Sequence, residues 1–484
     1  MDQPRAGSTA TAERVPLRER IDATSFLSVF VIVVFLIPAG FVIGFLGSAG
    51  RPAMLLGFFA FVWWAHETLL ARGSAARGPQ PIRRYGLIFL AAVLISAINA
   101  WLGPIIGVEG RAADRGLIMV ACLLGLTFLA ADGIKSRERL DTLLQRLTTA
   151  GSVLASVGIL QFFVSFDLES IVTFPGLTPL GGFQEIQVRS DLSRVAATAS
   201  HPIEFGVVLA LLLPLALHFA LYAKSRQKLA WLRVGLIAAA IPLSIGRSGT
   251  LAMFIAFFAM WCTWPRRLRI RSLVIAAIGT VGMRLLIPGL IGTIRSLFTN
   301  ILYDPSTQGR TEDYARVGEF ISERPLFGRG FFTFLPDRYF WLDNQYLGLL
   351  IETGIVGTAA FVLLFGVGIR TAWRARQGAD DETRSLGQAL LAALLAILLS
   401  AGTFDMLSFT MVSGVSFLLL GSAGALWRLQ RIENAEPASA DRFGPPPHDD
   451  LLALLALDEL ERSSVERSRA LNQLPRALPG HRLE

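Results

Sequence analysis

The sequence predicts an all-α, polytopic membrane fold with about twelve transmembrane helices and one large extracytoplasmic loop. Three observations carry that expectation. The 484 residues are 53% hydrophobic and only 17% charged, with a mean hydropathy of +0.53, more apolar surface than a soluble fold of this length can bury. Apolar runs of spanning length recur along most of the chain. Lysine and arginine fall in short clusters between alternate runs.

A span needs about 20 predominantly apolar residues. That rule places spans near 26–47, 52–72, 86–103, 116–132, 149–166, 203–222, 232–246, 249–264, 272–292, 345–368, 387–404 and 407–427. The seventh and eighth are short and joined by a tight GRSG hairpin. Residues 1–24 are a polar tail with several arginines, and the apolar run behind it exceeds a signal-peptide core of about 7–15 residues, so it is expected to be a retained first span. Basic clusters occupy that tail (Arg14, Arg18, Arg20) and the connections after span two (Arg72, Arg77, Arg83, Arg84) and span four (Lys135, Arg137, Arg139). They recur after spans six (Lys224, Arg226, Lys228, Arg233), eight (Arg266, Arg267, Arg269, Arg271), ten (Arg370, Arg374, Arg376) and twelve (Arg428, Arg431). Every even connection is basic, which predicts cytoplasmic termini and puts the loops at about 167–202 and 293–344 outside.

Three blocks are therefore expected: a cytoplasmic tail over 1–24, a membrane domain over 25–430 and a cytoplasmic tail over 431–484. The last joins a Pro-rich linker, ENAEPASADRFGPPPHDD, to LLALLALDELERSSVERSRAL, whose leucines share one helical face. Such a helix can lie on the membrane surface or bind a cytoplasmic partner.

Composition also excludes some chemistries. The net charge of +8 and pI near 10 come from the dispersed topology clusters, so they do not argue for nucleic acid. Cys122 and Cys262 each sit inside an apolar run and imply no disulfide framework or thiol-metal site. His66, His201, His218, His448 and His481 are too scattered to suggest a metal cluster, and no metal or other cofactor is expected.

The residues that can carry chemistry lie in or beside the external loops. Arg247, in IPLSIGRSGTLAM, sits at an external hairpin with no acid in the same turn. It can snorkel, pair with a distant carboxylate such as Asp405, or bind an anionic ligand. Ser248 and Thr250 are expected to cap span eight. In VRSDLSRVAATASHPIEFG, Arg189 can pair with Asp191, which leaves Arg194 as the better anion contact, and His201 precedes a proline at a helix start. In the large loop, GRTEDYARVGEFISERPLFGRG reads as a short amphipathic helix. Thr311 can cap it, Tyr314, Val317, Phe320 and Ile321 share a face, and Glu312 can pair with Arg316. Arg310 stands just ahead, where the helix dipole already favours anions. Arg316, Arg324 and Arg329 are expected to be structural. Asp343 and Asn344 open span ten; both can cap a helix, but one cap suffices, so Asp343 is a candidate general base. Glu352, two turns deeper, is either a polar packing group or a second catalytic carboxylate.

SIGRSG at the head of span eight, GR…Y…F…ERPLFGRGFF in the long external loop and DNQYLGLLIETGIVG entering the next span together resemble the O-antigen ligase and polymerase superfamily. These are bacterial membrane glycosyltransferases acting on undecaprenyl-diphosphate-linked glycans. The resemblance covers roughly residues 190–370 in its motif-bearing part and the whole chain in topology. It implies that Arg247 and Arg310 hold the donor diphosphate, with Arg194 assisting and Asn344 and Tyr314 supporting the site. It also implies single-displacement transfer with inversion at the anomeric carbon. The ligase branch places a histidine before the asparagine, where this chain has Asp343; that departure favours a polymerase-like role. The expected activity is metal-independent transfer of a lipid-linked glycan to an acceptor hydroxyl on the outer face of a bacterial inner or plasma membrane. The alternatives are ligation of finished glycan to a lipid, protein or wall acceptor, and transport of small anions or lipids. The first external loop, little more than SAGRP, lacks the acids that a metal-dependent membrane glycosyltransferase would use.

Overall fold

A computed structural model describes residues 22–70, 78–166, 171–180, 188–189, 192–299, 314, 316–377 and 380–440. The chain divides into two compact units, 1–430 and 431–484. Its helices are α1 (Ala23–Leu36), α2 (Pro52–Leu69), α3 (Pro81–Trp101), α4 (Gly107–Gly133), α5 (Arg137–Val164), α6 (Pro202–Leu221) and α7 (Gln227–Ala240). They continue as α8 (Arg247–Trp261), α9 (Arg266–Leu286), α10 (Leu290–Thr299), α11 (Gln345–Ala375), α12 (Asp381–Ser400) and α13 (Thr410–Ala440). Among the described residues β-structure is confined to two-residue pairings, Phe41–Val42 with Thr178–Pro179 and Val188–Arg189 with Leu192–Ser193. A helical membrane body follows from the apolar runs, because a helix satisfies its own backbone hydrogen bonds where no water can.

Among the described residues seven helices are long and apolar enough to cross a membrane, or eight if the bent pair α9–α10 is one span. The expected count of about twelve is not reached on that criterion, and the shortfall has a physical cause. Helices α1 and α8 are apolar but have 14 and 15 residues. At 1.5 Å per residue each is roughly 21–23 Å long, short of a hydrocarbon core of about 30 Å. The ninth expected span is broken: α9 turns by 112° into α10 after Gly289 at φ +90°.

Two helices form the centre. Every residue of α13 from Met411 to Trp427 is buried, as is nearly all of α6 despite Pro214 within it. Around them α2 packs on α4, α1 on α5, α3 on α11, and α8 on both α6 and α12. By contrast, α9 buries no residue at all. Close approaches use glycine: Gly57 on α2 faces the Cys122 backbone, and Gly125 on α4 faces the Gly57 carbonyl.

Connections after alternate helices gather at opposite ends. At one end Arg83 pairs with Asp132 at 3.0 Å, Trp64 donates to the same carboxylate at 2.9 Å, Arg139 pairs with Asp22, and Arg137 donates to Thr383 at 2.6 Å. The clustered arginines and lysines thus meet acids between helices. At the other end Ala39 N–H donates to the Thr198 carbonyl at 2.9 Å, Arg329 reaches Glu109 at 3.3 Å, and Ser248 donates to the Thr403 carbonyl at 3.3 Å. The described candidates Arg194, Arg247, Asp343 and Asn344 lie at this second end.

Within the large loop residues 300–313 and 315 lie outside the described set, so the expected Thr311 cap and the Glu312–Arg316 pair are not described. A helix runs over 316–323, and Val317, Phe320 and Ile321 do share a face, packing with Phe334 and Ile351. Arg316 lies 4.4 Å over the Phe340 ring, Arg324 donates to the Asn99 carbonyl at 3.4 Å, and Arg329 bonds Glu109 and Tyr339. The loop then locks onto α11 where Gly354 adopts φ +64°, ψ −167° inside that helix. This break frees backbone groups that bond outward: Ile355 N–H donates to the Pro325 carbonyl at 2.9 Å and Val356 N–H to Leu326 at 3.2 Å.

A Cβ at Gly354 would collide with the Leu326 backbone in a conformation that L residues rarely adopt. Gly354→Ala is therefore expected to destabilise the protein by about 1–3 kcal/mol. A thermal melt in detergent would show this as a lowered Tm, whereas Gly366→Ala, which meets open space, should leave it unchanged.

Candidate functional site

Three separate stretches of sequence converge at the second end. The first is the approach to α6. Arg194 Nε donates to the Ser244 carbonyl at 3.2 Å, fixing the guanidinium against the 3-10 turn Ile241–Ser244 that precedes α8. His201 is the N-cap of α6, its Nδ1 accepting the Ile203 N–H at 3.1 Å, so the ring proton resides on Nε2. Gln161 Oε1 accepts from Ala196 and Ala197 N–H and holds the intervening loop, where Ala197 has φ +52°.

The second stretch is the head of α8. Ile245 at φ +45° and the N-cap Gly246 deliver Arg247 to the first position of the helix, half-buried at its positive end. Ser248 and Thr250 do not cap α8, contrary to expectation, because the N-cap is Gly246 and both hydroxyls are used elsewhere. Thr250 donates back to the Gly246 carbonyl at 2.9 Å, and Ser248 donates to the Thr403 carbonyl while accepting from the Thr403 hydroxyl at 2.8 Å.

The third is the head of α11. Asn344 is the N-cap, its side-chain oxygen accepting from Tyr346 and Leu347 N–H at 3.0 and 3.3 Å. One cap suffices, and the half-buried Asp343 stands just outside the helix. Gln345 N–H donates to the Phe404 carbonyl at 3.2 Å while Gln345 Oε1 accepts the Leu407 N–H at 2.6 Å. The linker over 401–409 therefore supports α8 through Thr403 and α11 through Phe404 and Leu407.

Charges link these stretches. His201 is held down to about 4 by burial and by the Arg194 guanidinium, with Asp343 pulling it back up. It is therefore a neutral imidazole at neutral pH, with Arg194 and Asp343 both within electrostatic reach. Asp405, in the supporting linker, is pushed up to about 6 by burial and by Asp343, against hydrogen bonds from Ser408 and Leu407. Both His201 and Asp405 join the site here; the sequence signalled them only as a residue before a proline and a distant counter-ion.

The other candidates fall as follows. Arg310 lies outside the described residues, and Tyr314 is exposed on the large loop. Glu352 bonds to the large loop. Its Oε1 accepts the Phe334 N–H at 3.2 Å, and its carbonyl accepts from the Ser96 hydroxyl at 2.7 Å and from Gly330 N–H at 2.9 Å. It ties the large loop to α11 and α3 and lies within electrostatic reach of Asp405 and Arg329.

Among the described residues no group of three or more His, Cys, Asp or Glu side chains could hold a metal ion. The arrangement offers guanidinium groups beside helix N-termini, which suits phosphate, and a carboxylate beside them, which suits a hydroxyl proton.

The pH dependence has opposed parts. An acid whose folded pKa is raised binds more protons folded than unfolded, so Asp405 costs stability as pH rises from about 4 to 6. His201, depressed, binds fewer protons folded, so its contribution is lost as pH falls from about 6.5 to 4. Measured against wild type, Asp405→Asn should raise Tm above pH 6 with the gain vanishing near pH 4. His201→Gln should lessen the loss of Tm between pH 6.5 and 4.

No curated protein matches the chain. Residues 233–362 match the family model described as O-antigen ligase, a stretch running from α7 through α8 and the large loop into α11. That match, over about a quarter of the chain, supports a similarity to the O-antigen ligase/polymerase superfamily, a family of glycan-transfer enzymes.

Proposed function

We propose that this protein transfers a glycan from an undecaprenyl-diphosphate carrier to an acceptor hydroxyl at the outer face of a bacterial inner membrane, as a polymerase-like enzyme. The observation that supports it best is the seating of Arg194 on the turn leading into Arg247, with Arg194 and Asp343 both acting on His201. The basic clusters at the opposite end favour a cytoplasmic location for that end and for both termini. Arg247 and Arg194, joined by Arg310 of the large loop, grip the diphosphate through bidentate guanidinium contacts, and the N-terminus of α8 adds its partial positive charge. Asp343 accepts the proton of the attacking hydroxyl, Asn344 fixes the helix start beside it, and Tyr314 contributes a hydroxyl from the loop. Glu352 positions the loop and touches no reacting atom.

Displacing a lipid diphosphate from an anomeric carbon creates negative charge on the leaving group, and preorganised donors stabilise it most in a water-poor site. Guanidinium groups can fill the place of a divalent cation, so the reaction proceeds without metal. One displacement with no enzyme nucleophile inverts the anomeric centre. Asp343 in the histidine position favours polymerisation over ligation.

Reconstitution with a lipid-linked repeat unit tests this reading. Arg247→Ala and Arg194→Ala should each lower turnover by roughly 10²–10³-fold, with single repeat units accumulating. Arg247→Lys should be partly active, because it retains charge without the fork. Asp343→Asn should lower kcat by about 10²–10⁴-fold with little change in KM. Wild-type turnover in both arginine variants would sink the proposal, and normal chain length with unattached polymer would reassign the enzyme as a ligase.

A further inference from the structure

The segment that delivers Asp343 to the head of α11 also carries Trp341, the most exposed of the nine tryptophans at 74%. The other exposed tryptophans, Trp101, Trp231 and Trp373, all lie within helices, where an outward indole suits a membrane interface. Trp341 lies off any helix, two residues before the candidate base.

Residues 340–344 run without helix, turn or bend, and Asn344 at their end is extended at φ −157°, ψ 109°. Successive side chains of an extended chain alternate in direction, so positions 340 and 342 share one face and 341 and 343 the other. Burial follows that alternation. Phe340 and Leu342 pack against the small cluster of Val317, Phe334 and Ile351, while Trp341 between them is exposed. The indole therefore stands on the Asp343 side of the segment, with roughly 7 Å between the two Cα positions. That spacing is close to the width of one pyranose ring.

The segment is held on both sides of Trp341. Before it, the Tyr339 ring stacks on Phe334 at 4.9 Å and its hydroxyl donates to Glu109 at 2.5 Å, with Arg338 Nε 3.4 Å from the same carboxylate. The Arg316 guanidinium covers the Phe340 ring at 4.4 Å. After it, Asn344 caps α11. An exposed ring on a fixed backbone loses little freedom when a ligand covers it, which favours binding.

The two neighbours narrow the ligand. An aromatic face is apolar and electron-rich, so it suits the C–H face of a pyranose, whose hydroxyls stay at the ring edge. A sugar stacked there turns an edge hydroxyl toward Asp343. We propose that Trp341 is a stacking platform for the acceptor sugar, a binding subsite that selects which pyranose presents its hydroxyl to Asp343. This assignment deepens the transfer reading and rests on it for the role of Asp343, while the sugar contact itself is measurable without turnover.

The test uses the full-length protein in lipid nanodiscs with two readouts. The first is calorimetric binding of the repeat-unit oligosaccharide freed from its carrier by mild acid, a probe with no phosphate for the arginines. Trp341→Leu should weaken its Kd about tenfold and Trp341→Phe no more than about threefold. Trp101→Leu, at an exposed indole on the end of α3 that meets the large loop, should leave Kd unchanged. The second is turnover of the lipid-linked unit, where Trp341→Leu should raise KM about tenfold with kcat nearly unchanged. Equal Kd in wild type and Trp341→Leu would overturn the platform, as would no binding by wild type. A leucine variant that binds as well as the phenylalanine one, or an equal loss in Trp101→Leu, would reassign Trp341 as a membrane anchor. Trp341-dependent binding by a wild type that does not turn over would instead sink the transfer reading and leave the sugar site standing.

Discussion

The second end of this molecule depends on one buried carboxylate. Glu204, fully shielded in the first turn of α6, draws the first amides of α13 and the Ser200 amide and hydroxyl onto its two oxygens. A carboxylate at that depth is tolerable only when its lone pairs are satisfied, and here helix N-termini satisfy them. The consequence is positional. Fixing the start of α13 beside the start of α6 sets one end of the 401–409 linker, and that linker contacts the heads of α8 and α11 through Thr403, Phe404 and Leu407. Arg247 and Asp343 thus inherit their positions from a group that touches neither.

The same end concentrates positive potential without a basic cluster. In an alternating bundle every second helix begins at one end, so α2, α4, α6, α8, α11 and α13 all turn their N-terminal, positive ends that way. Lysine and arginine are massed at the opposite end, where they meet Asp22, Asp132 and Asp141. Guanidinium groups described at the second end are held one by one, Arg194 by a carbonyl and Arg329 by Glu109 and Tyr339. Against this background a neutral His201 and an Asp405 reluctant to ionise have one cause, since burial penalises either charged form.

Much of the helical body was legible in the sequence because its signal is local. An apolar run gives a helix, GRSG gives a break, and Asn344 before a run gives a cap, all within a few residues. The Val317, Phe320 and Ile321 face was readable for the same reason. The span count was less secure, because composition does not report length: α8 is as apolar as a spanning helix but only 15 residues long. The roles of Glu352, Asp405 and His201 were hidden more deeply. Each depends on partners from other elements, Phe334 for Glu352, Asp343 for Asp405, and Arg194 with Asp343 for His201. Ser248 and Thr250 misled because a serine or threonine near a helix start resembles a cap, yet the turn supplied Gly246 and left their hydroxyls for Thr403 and the Gly246 carbonyl.

The Asp343 position then takes on a different meaning. The resemblance puts a histidine before the asparagine that caps this helix, and here an aspartate fills the place. Yet an imidazole is present in the same cluster, brought by the N-cap of α6 and kept neutral by its surroundings. Its Nδ1 is committed to the Ile203 amide, so Nε2 carries the proton and can only donate. A donor is the wrong group to accept a hydroxyl proton, but it suits an oxygen that is gaining charge. In the proposed transfer, carboxylate and imidazole at this end would have separable tasks: Asp343 would take the proton, and His201 would donate a hydrogen bond without adding charge. In the same proposal the positive charge for the leaving diphosphate would then come from the arginines and not from the imidazole.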